Sequence, residues 1–265
     1  MGGFNRTLKT KKAVFLDLDG TVYLGDRLID GAARFLDYLR QSHIPHYFLS
    51  NNSSRSKKDY VKKLSNLGIE TRTDQIILST DGVIEFLKES RIKEVFVVGT
   101  RSMMGMFEEA GINPESTQPE YVILGYDTEL TYQKLKAAAL FLQNDVKLIA
   151  THCDLVCPTP DGPIPDVGSM LALFQKATGR EPFRIFGKPN PEMIAHVLKK
   201  GNLKPQDAVM IGDRIYTDME LANRTGCDFI LVLSGETQPD DIKELDPKPA
   251  LVVNSIGAIV VSTSC

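Results

Sequence analysis

Residues 14–21 read Val-Phe-Leu-Asp-Leu-Asp-Gly-Thr, so two carboxylates, Asp17 and Asp19, close an apolar run and are followed at once by Gly20 and Thr21. Such a run has the pattern of a strand buried on both faces, and in an open α/β sheet ligands bind just beyond the carboxyl ends of the strands. Two acids at that edge suit a cation, a nucleophile, or both. An Asp-Gly turn accounts for Asp19 and Gly20 but requires neither Asp17 nor Thr21. Three further segments place reactive side chains after apolar runs. Ser50 and Asn51 follow Tyr47-Phe48-Leu49, Lys188 lies in Gly187-Lys188-Pro189-Asn190-Pro191, and Asp213 lies in Gly212-Asp213-Arg214 with Asp218 five residues on. Parallel strands would bring all four sets to one edge. Together they offer hard oxygen ligands for Mg²⁺, and an ammonium with hydrogen-bond donors for a phosphoryl group.

The elements that must position these residues follow from the hydrophobic period. Short apolar runs alternate with amphipathic stretches, which predicts an α/β fold: a Rossmann-like, doubly wound parallel sheet core with a second, inserted α/β domain. Strands are expected at Ala13–Asp17, His46–Ser50, Val95–Gly99, Tyr121–Gly125, Lys147–Thr151, Arg184–Gly187, Ala208–Gly212, Phe229–Leu233 and Ala250–Val253. Helical spacing runs over Ala32–Gln41, Lys57–Leu67, Ser102–Glu109, Tyr132–Leu142, Ser169–Lys176, Glu192–Lys199 and Asp218–Thr225, with Gly68, Gly111, Gly179 and Gly226 placed to end four of them. Nine strands are many for one sheet. The expected division is therefore a core of 1–79 and 183–265, with 80–182 inserted as a second domain.

Composition narrows the function classes. Of 265 residues, 31 are basic and 34 acidic, a net charge of −3, which leaves no electrostatic footprint for nucleic acid. The basic stretches at Lys9–Lys12 and Arg55–Lys58 are short enough to be solvated faces. No apolar run approaches the length of a membrane span, and the first twelve residues lack the apolar centre of a signal peptide. Met1-Gly2 opens like a myristoylation signal, but Arg6 stands where that signal needs Ser or Thr. A cytoplasmic protein is expected. Cys153, Cys157, Cys227 and Cys265 form no CxxC pair, which fits a reducing compartment. His152, Cys153 and Cys157 cluster loosely but have no second His–Cys cluster to complete a zinc tetrahedron.

Asp17-Leu-Asp19-Gly-Thr21, then Ser50-Asn51-Asn52, then Gly187-Lys188-Pro-x-Pro191, then Gly212-Asp213-x-x-x-Thr217-Asp218 resembles the four-motif signature of the haloacid dehalogenase-like hydrolases. The likeness is closest to their class IIA, NagD-like phosphatases, and it extends over nearly the whole chain. The resemblance implies a Mg²⁺-dependent phosphatase acting on a small-molecule phosphate ester. Asp17 would be the nucleophile and Asp19 the general acid and base. Mg²⁺ would be held by Asp17, the Asp19 carbonyl and Asp213. Ser50, the Asn51 N–H and Lys188 would grip the phosphoryl oxygens. Asp218 would orient a water or Lys188, or cap its helix, and Thr21 would restrain an acid. The insertion would act as a cap in which Cys157, and with it His152, approaches the substrate, although a packed strand-end imidazole explains His152 as well. Gly168-Ser169 would open a helix whose N–H groups suit an anion or serve a hinge. Arg214 and Tyr216 are expected at exposed loop positions. Pairing of two copies through the cap is a further implication.

Other reactions fit less well. Dehalogenases of this type lack the second acid, and mutases carry a small cap directly after the first motif, for which Val22–Asp30 has no room. The reading from a different class is a non-catalytic or regulatory phosphate-binding protein on the same fold, which the intact set of acids and the lysine does not favour.

Overall fold

The computed structural model describes residues 10–159 and 161–259, together with Leu8. Lys9, Met1-Gly2, Arg6 and Cys265 lie outside the described residues. The chain divides into two compact units, one of Met1–Leu49, Val61–Ile77 and Lys188–Cys265, the other of Ser50–Tyr60 and Leu78–Gly187. This division assigns residues 50–60 to the second unit.

The first unit is built on a six-stranded sheet. Its strands are β1 (Ala13–Asp17), β4 (His46–Ser50), β5 (Ile76–Leu78), β12 (Ala208–Gly212), β13 (Asp228–Val232) and β14 (Leu251–Val253), in the order β14-β13-β12-β1-β4-β5. The pairs β14–β13, β13–β12, β12–β1 and β1–β4 are parallel. From β1 the chain builds outward through β4 to β5, and later through β12 to β14 on the other side. The winding therefore reverses beside β1, the switch point where such sheets open a crevice. Every residue of β1 and β12 is buried, and this is why both read as unbroken apolar runs. One face packs Ala13, Phe15, Met210 and Leu231 against Ile194 and Val197 of α7 (Glu192–Lys200) and Leu221 and Ala222 of α8 (Glu220–Thr225). Helix α1 (Ala32–Gln41) buries Phe35, Leu36 and Leu39 at helical spacing. A small hairpin of β2 (Tyr23–Leu24) and β3 (Arg27–Leu28) follows β1.

The second unit holds a four-stranded parallel sheet in the order β11-β8-β7-β6, formed by β6 (Val95–Val98), β7 (Tyr121–Leu124), β8 (Lys147–Ala150) and β11 (Arg184–Ile185). Alternate residues serve opposite faces, as the pleat requires. Val95, Val97, Ile123 and Ile149 pack on α3 (Ser79–Glu89) and α4 (Arg101–Glu109). Val98, Val122, Leu124, Leu148 and Ala150 pack on α5 (Tyr132–Gln143) and α6 (Val167–Thr178). An antiparallel pair, β9 (Val156–Cys157) and β10 (Ile164–Pro165), stands between β8 and α6. Helix α2 (Lys57–Asn66) begins in this unit. Among the described residues no helix is long and apolar enough to cross a membrane.

The expected strands at Ala13–Asp17, His46–Ser50 and Ala208–Gly212 and the helix Ala32–Gln41 match residue for residue. Strand β5, helix α3 and both hairpins go beyond the sequence expectation. The helix expected from Asp218 is a π-helical turn over Ile215–Met219 that passes into α8.

Candidate active site

The register of the first unit brings three acids to one place. Leu16 pairs with Ile211, so Asp17 at the end of β1 lies level with Gly212, and Asp213 follows directly at the end of β12. Asp218 returns from the π-helical turn. Asp17, Asp213 and Asp218 are all buried, and each offers a carboxylate oxygen within 4.8 Å of the others. Lys188 is 3% exposed. Its Nζ donates to Asp17 Oδ1, and to Asp218 Oδ1 at 2.7 Å. Asp218 accepts the Arg214 N–H on its second oxygen at 3.2 Å. Asp213 Oδ2 accepts the Glu236 N–H at 2.7 Å, and the Thr21 hydroxyl stands 3.5 Å from Oδ1, the outer limit of a hydrogen bond.

Burial pushes the Asp213 carboxyl well above the usual carboxylate range, and the charges of Asp17 and Asp218 push it the same way. Burial also raises Asp218, against the opposing Lys188 ammonium. Burial works against the charge on Lys188 itself, yet the Asp17 and Asp218 carboxylates hold the ammonium above its ordinary value. The raised Asp213 and Asp218 carboxyls mark a desolvated pocket in which one ammonium does not balance three acids, and hard oxygens gathered in this way suit a divalent cation such as Mg²⁺ or Ca²⁺. The residues present therefore fit such an ion. Asp19 differs from the other acids. It is exposed and lies in the loop closed by the Gly20 N–H bond to the Tyr23 carbonyl. Partial desolvation raises its carboxyl, and the nearby Lys63 charge opposes the rise.

Ser50 and Asn51 belong to the second unit. The Ser50 hydroxyl bonds the Tyr60 hydroxyl at 3.0 Å and accepts the Asn52 N–H at 3.2 Å. Asn51 Nδ2 donates to both Asp154 oxygens at 3.3 and 3.4 Å, and the Asn51 carbonyl accepts the Ser79 hydroxyl at 2.8 Å. Cys157, on β9, is half-buried and shares a hydrogen bond with Tyr126. His152 is completely enclosed, which favours the packed strand-end imidazole over a side chain offered to a ligand. The first turn of α6 is also committed. Asp166 caps it through the Val167 N–H at 2.6 Å, and the Gly168 N–H donates to the Asp154 carbonyl at 2.9 Å.

Several supporting residues escaped the sequence reading. Ser234–Thr237, after β13, wraps Asp213: Glu236 and Thr237 donate backbone N–H groups to it, and the Ser234 hydroxyl donates to the Gly20 carbonyl at 2.6 Å. The signal was a run of small and polar residues at yet another strand end. Arg214, expected to be exposed, is half-buried in an ion pair with Glu236 at 3.0 Å. Tyr216 is exposed as expected, and its hydroxyl meets Glu236.

The chain is similar to proteins of known family. A family model described as haloacid dehalogenase-like hydrolase matches residues 14–113, and one described as HAD-hydrolase-like matches 185–259. The acid sugar phosphatase of Staphylococcus haemolyticus is 31% identical over 244 residues, covering 91% of this chain and 92% of that protein. The solved 4-nitrophenylphosphatase from Thermotoga maritima is 38% identical, with a TM-score of 0.92 over 96% of this chain and 99% of that one. The glycerol phosphate phosphatase of Mycobacterium tuberculosis, solved in complex with magnesium, is 27% identical with a TM-score of 0.86, covering 97% of this chain and 78% of that one.

Proposed function

This chain belongs to the haloacid dehalogenase-like hydrolases and is a phosphatase, and from that premise we propose that it is a Mg²⁺-dependent phosphomonoesterase working through an aspartyl phosphate on Asp17. The observation that carries the reading is the buried set of Asp17, Asp213 and Asp218 around Lys188 at the switch point of the sheet. Asp17, Asp213 and the carbonyl of Asp19 would hold the ion, which when bound offsets the repulsion between an anionic ester and the carboxylates.

Asp17 attacks phosphorus, and the P–O bond to the leaving group breaks as the new bond forms. The leaving alkoxide takes its proton from Asp19, whose raised carboxyl suits a donor. Asp19, now ionised, takes a proton from water. The hydroxide attacks phosphorus, and Asp17 departs as a carboxylate with release of inorganic phosphate. Lys188, the Ser50 hydroxyl and the Asn51 N–H would bind phosphoryl oxygens as charge shifts onto them. Ser50 directly follows Leu49, the register partner of Asp17. Asp218 fixes the Lys188 ammonium by their 2.7 Å bond, and Thr21 steadies Asp213. The relatives named for sugar, nitrophenyl and glycerol phosphates share a small monoester, and that is the substrate class proposed here, with 80–182 as the cap domain.

The test is inorganic phosphate release from a panel of such esters, p-nitrophenyl phosphate included, with Mg²⁺ and with EDTA, for wild type and Asp17→Asn. Metal-dependent release abolished by Asp17→Asn is expected. A folded, metal-loaded protein that hydrolyses none of the esters overturns the proposal.

A further inference from the structure

A buried chain of hydrogen bonds runs through the second unit. Ser53, Thr151 and His152 have no exposed surface, and Asp166 is 4% exposed. Ser53 Oγ lies 3.0 Å from Thr151 Oγ1, which lies 3.0 Å from His152 Nδ1; His152 Nε2 lies 3.0 Å from Asp166 Oδ1. Both ends of the chain are anchored by backbone amides. The Tyr126 N–H donates to Ser53 Oγ at 2.8 Å, and the Val167 N–H donates to the same Asp166 Oδ1 at 2.6 Å.

One direction of hydrogen bonds serves every group in the run. Asp166 can only accept, so Nε2 carries hydrogen. With the Ser53 hydroxyl hydrogen directed to Thr151 Oγ1 and the Thr151 hydrogen to Nδ1, every hydrogen of the run has an acceptor. The neutral Nε2–H imidazole is the form that satisfies all of these bonds at once. Reversing the run would strand the Ser53 hydroxyl hydrogen in a buried site, an arrangement that interiors avoid.

The same contacts join two segments far apart in sequence. Ser53 lies two residues after Asn51, and Asp166 begins α6. Between the ends, Asn51 Nδ2 reaches Asp154, and the backbone of Cys153 and Asp154 lies against Gly168 so closely that a Cβ there would stand 2.5 Å from the Cys153 carbonyl oxygen. We infer that His152 is a positioning residue: through Thr151 and Ser53 on one side and Asp166 on the other, it holds the Asn51–Ser54 turn and the Cys153–Asp154 segment as one body, and so sets where Asn51 stands to receive a phosphoryl group. The assignment rests on the phosphatase reading above.

His152, Asp154 and Asp166 also offer ligand atoms within 4.8 Å of one another. A metal there would have to displace the Val167 cap and the Thr151 and Asn51 bonds, so the hydrogen-bonded arrangement is the one inferred.

The test compares wild type, His152→Ala, His152→Gln and Ser53→Ala as folded protein, measuring KM and kcat for p-nitrophenyl phosphate and the inhibition constant of inorganic phosphate. His152→Ala is expected to raise KM and the phosphate constant by roughly tenfold, with Ser53→Ala moving both the same way. His152→Gln keeps an N–H toward Asp166 and is expected to recover part of the loss. The ¹⁵N spectrum of the imidazole is expected to show hydrogen on Nε2 alone. Variants that lose thermal stability but bind phosphate and substrate like wild type overturn the inference, as does one equivalent of zinc in the purified protein that His152→Ala loses. If His152→Ala does not fold, Ser53→Ala carries the same test from the other end of the chain. Wild type that releases no phosphate instead overturns the phosphatase reading on which the role depends.

Discussion

The segment wrapped round Asp213 gives the sharpest perturbation, because it touches the site without removing any reactive group. A Cβ added at Gly235 would stand 2.8 Å from Asp213 Cβ and closer still to its carboxyl, where 3.4 Å is ordinary contact. Asp213 Cβ is tied to backbone and cannot swing aside, so Gly235→Ala must separate the two segments by at least roughly 0.6 Å, and the carboxyl by more. The movement also breaks the 2.7 Å bond from the Glu236 N–H, a charged hydrogen bond whose loss costs about 1.5–3 kcal/mol. Losing a hydrogen-bonded partner of a metal ligand weakens the metal's binding by about 10–100-fold. A misplacement near 1 Å can cost about 10²-fold in turnover. The assay is p-nitrophenyl phosphate hydrolysis against Mg²⁺ concentration, with Tm from thermal melts. Gly105→Ala is the control, since that glycine lies inside α4 with nothing within 4 Å. The expected result is a raised Mg²⁺ activation constant, kcat/KM lowered by about 10²-fold, and a control that is stabilised by up to about 1 kcal/mol. A folded Gly235→Ala enzyme with wild-type Mg²⁺ dependence would refute the placement of Asp213 at the metal.

Three other outcomes follow from the same geometry. Lys188→Met leaves Asp17 and Asp218 buried without their cation and should lower stability at pH 7 by about 3–5 kcal/mol in urea titrations; the loss should shrink toward acid pH as the carboxyls take up protons, and a pH-independent loss would argue against the buried pairing. Asp19→Asn should slow phosphoryl transfer from a sugar phosphate far more than from p-nitrophenyl phosphate, by about 10²-fold or more in single turnovers, because the nitrophenolate needs little protonation; equal losses would remove Asp19 from the acid role. Burial lowers His46 below its ordinary 6.5, so the unfolded chain binds more protons between those two values and stability rises with pH across that window; chemical denaturation of His46→Gln should show a flatter slope from pH 5 to 7, and an unchanged slope would mean that His46 stays solvated.

The sequence revealed the site more completely than the fold around it, for a physical reason. β1 and β12 are buried throughout and read as apolar runs, and β4 carries a shorter one in Tyr47-Phe48-Leu49; the first polar residue after each marks the sheet edge: Asp17, Ser50 and Asp213. β5 and α3 escaped because Ile76-Ile77-Leu78 is only three residues long, and α3 opens Ser79-Thr80-Asp81-Gly82, all poor helix formers. The spacing of Val83, Phe86 and Leu87 was the available signal. The two-residue strands β9 and β10 carry no period to detect. Pairings were equally hidden: nothing in the spacing says that Lys188 divides its donors between Asp17 and Asp218, that Glu236 reaches Asp213, or that His152 faces Asp166. Those contacts depend on how loops fold back, which local propensity does not encode.

The central claim is covalent catalysis at Asp17, and chemical trapping tests it most directly. A reaction with p-nitrophenyl phosphate and Mg²⁺, quenched in its first turnover and reduced with borohydride, converts an aspartyl phosphate to homoserine, which peptide mass spectrometry locates. Homoserine at position 17 in wild type, absent in Asp17→Asn together with turnover, is the result expected. Homoserine at another position, or an Asp17→Asn enzyme that still turns over like wild type, contradicts the account.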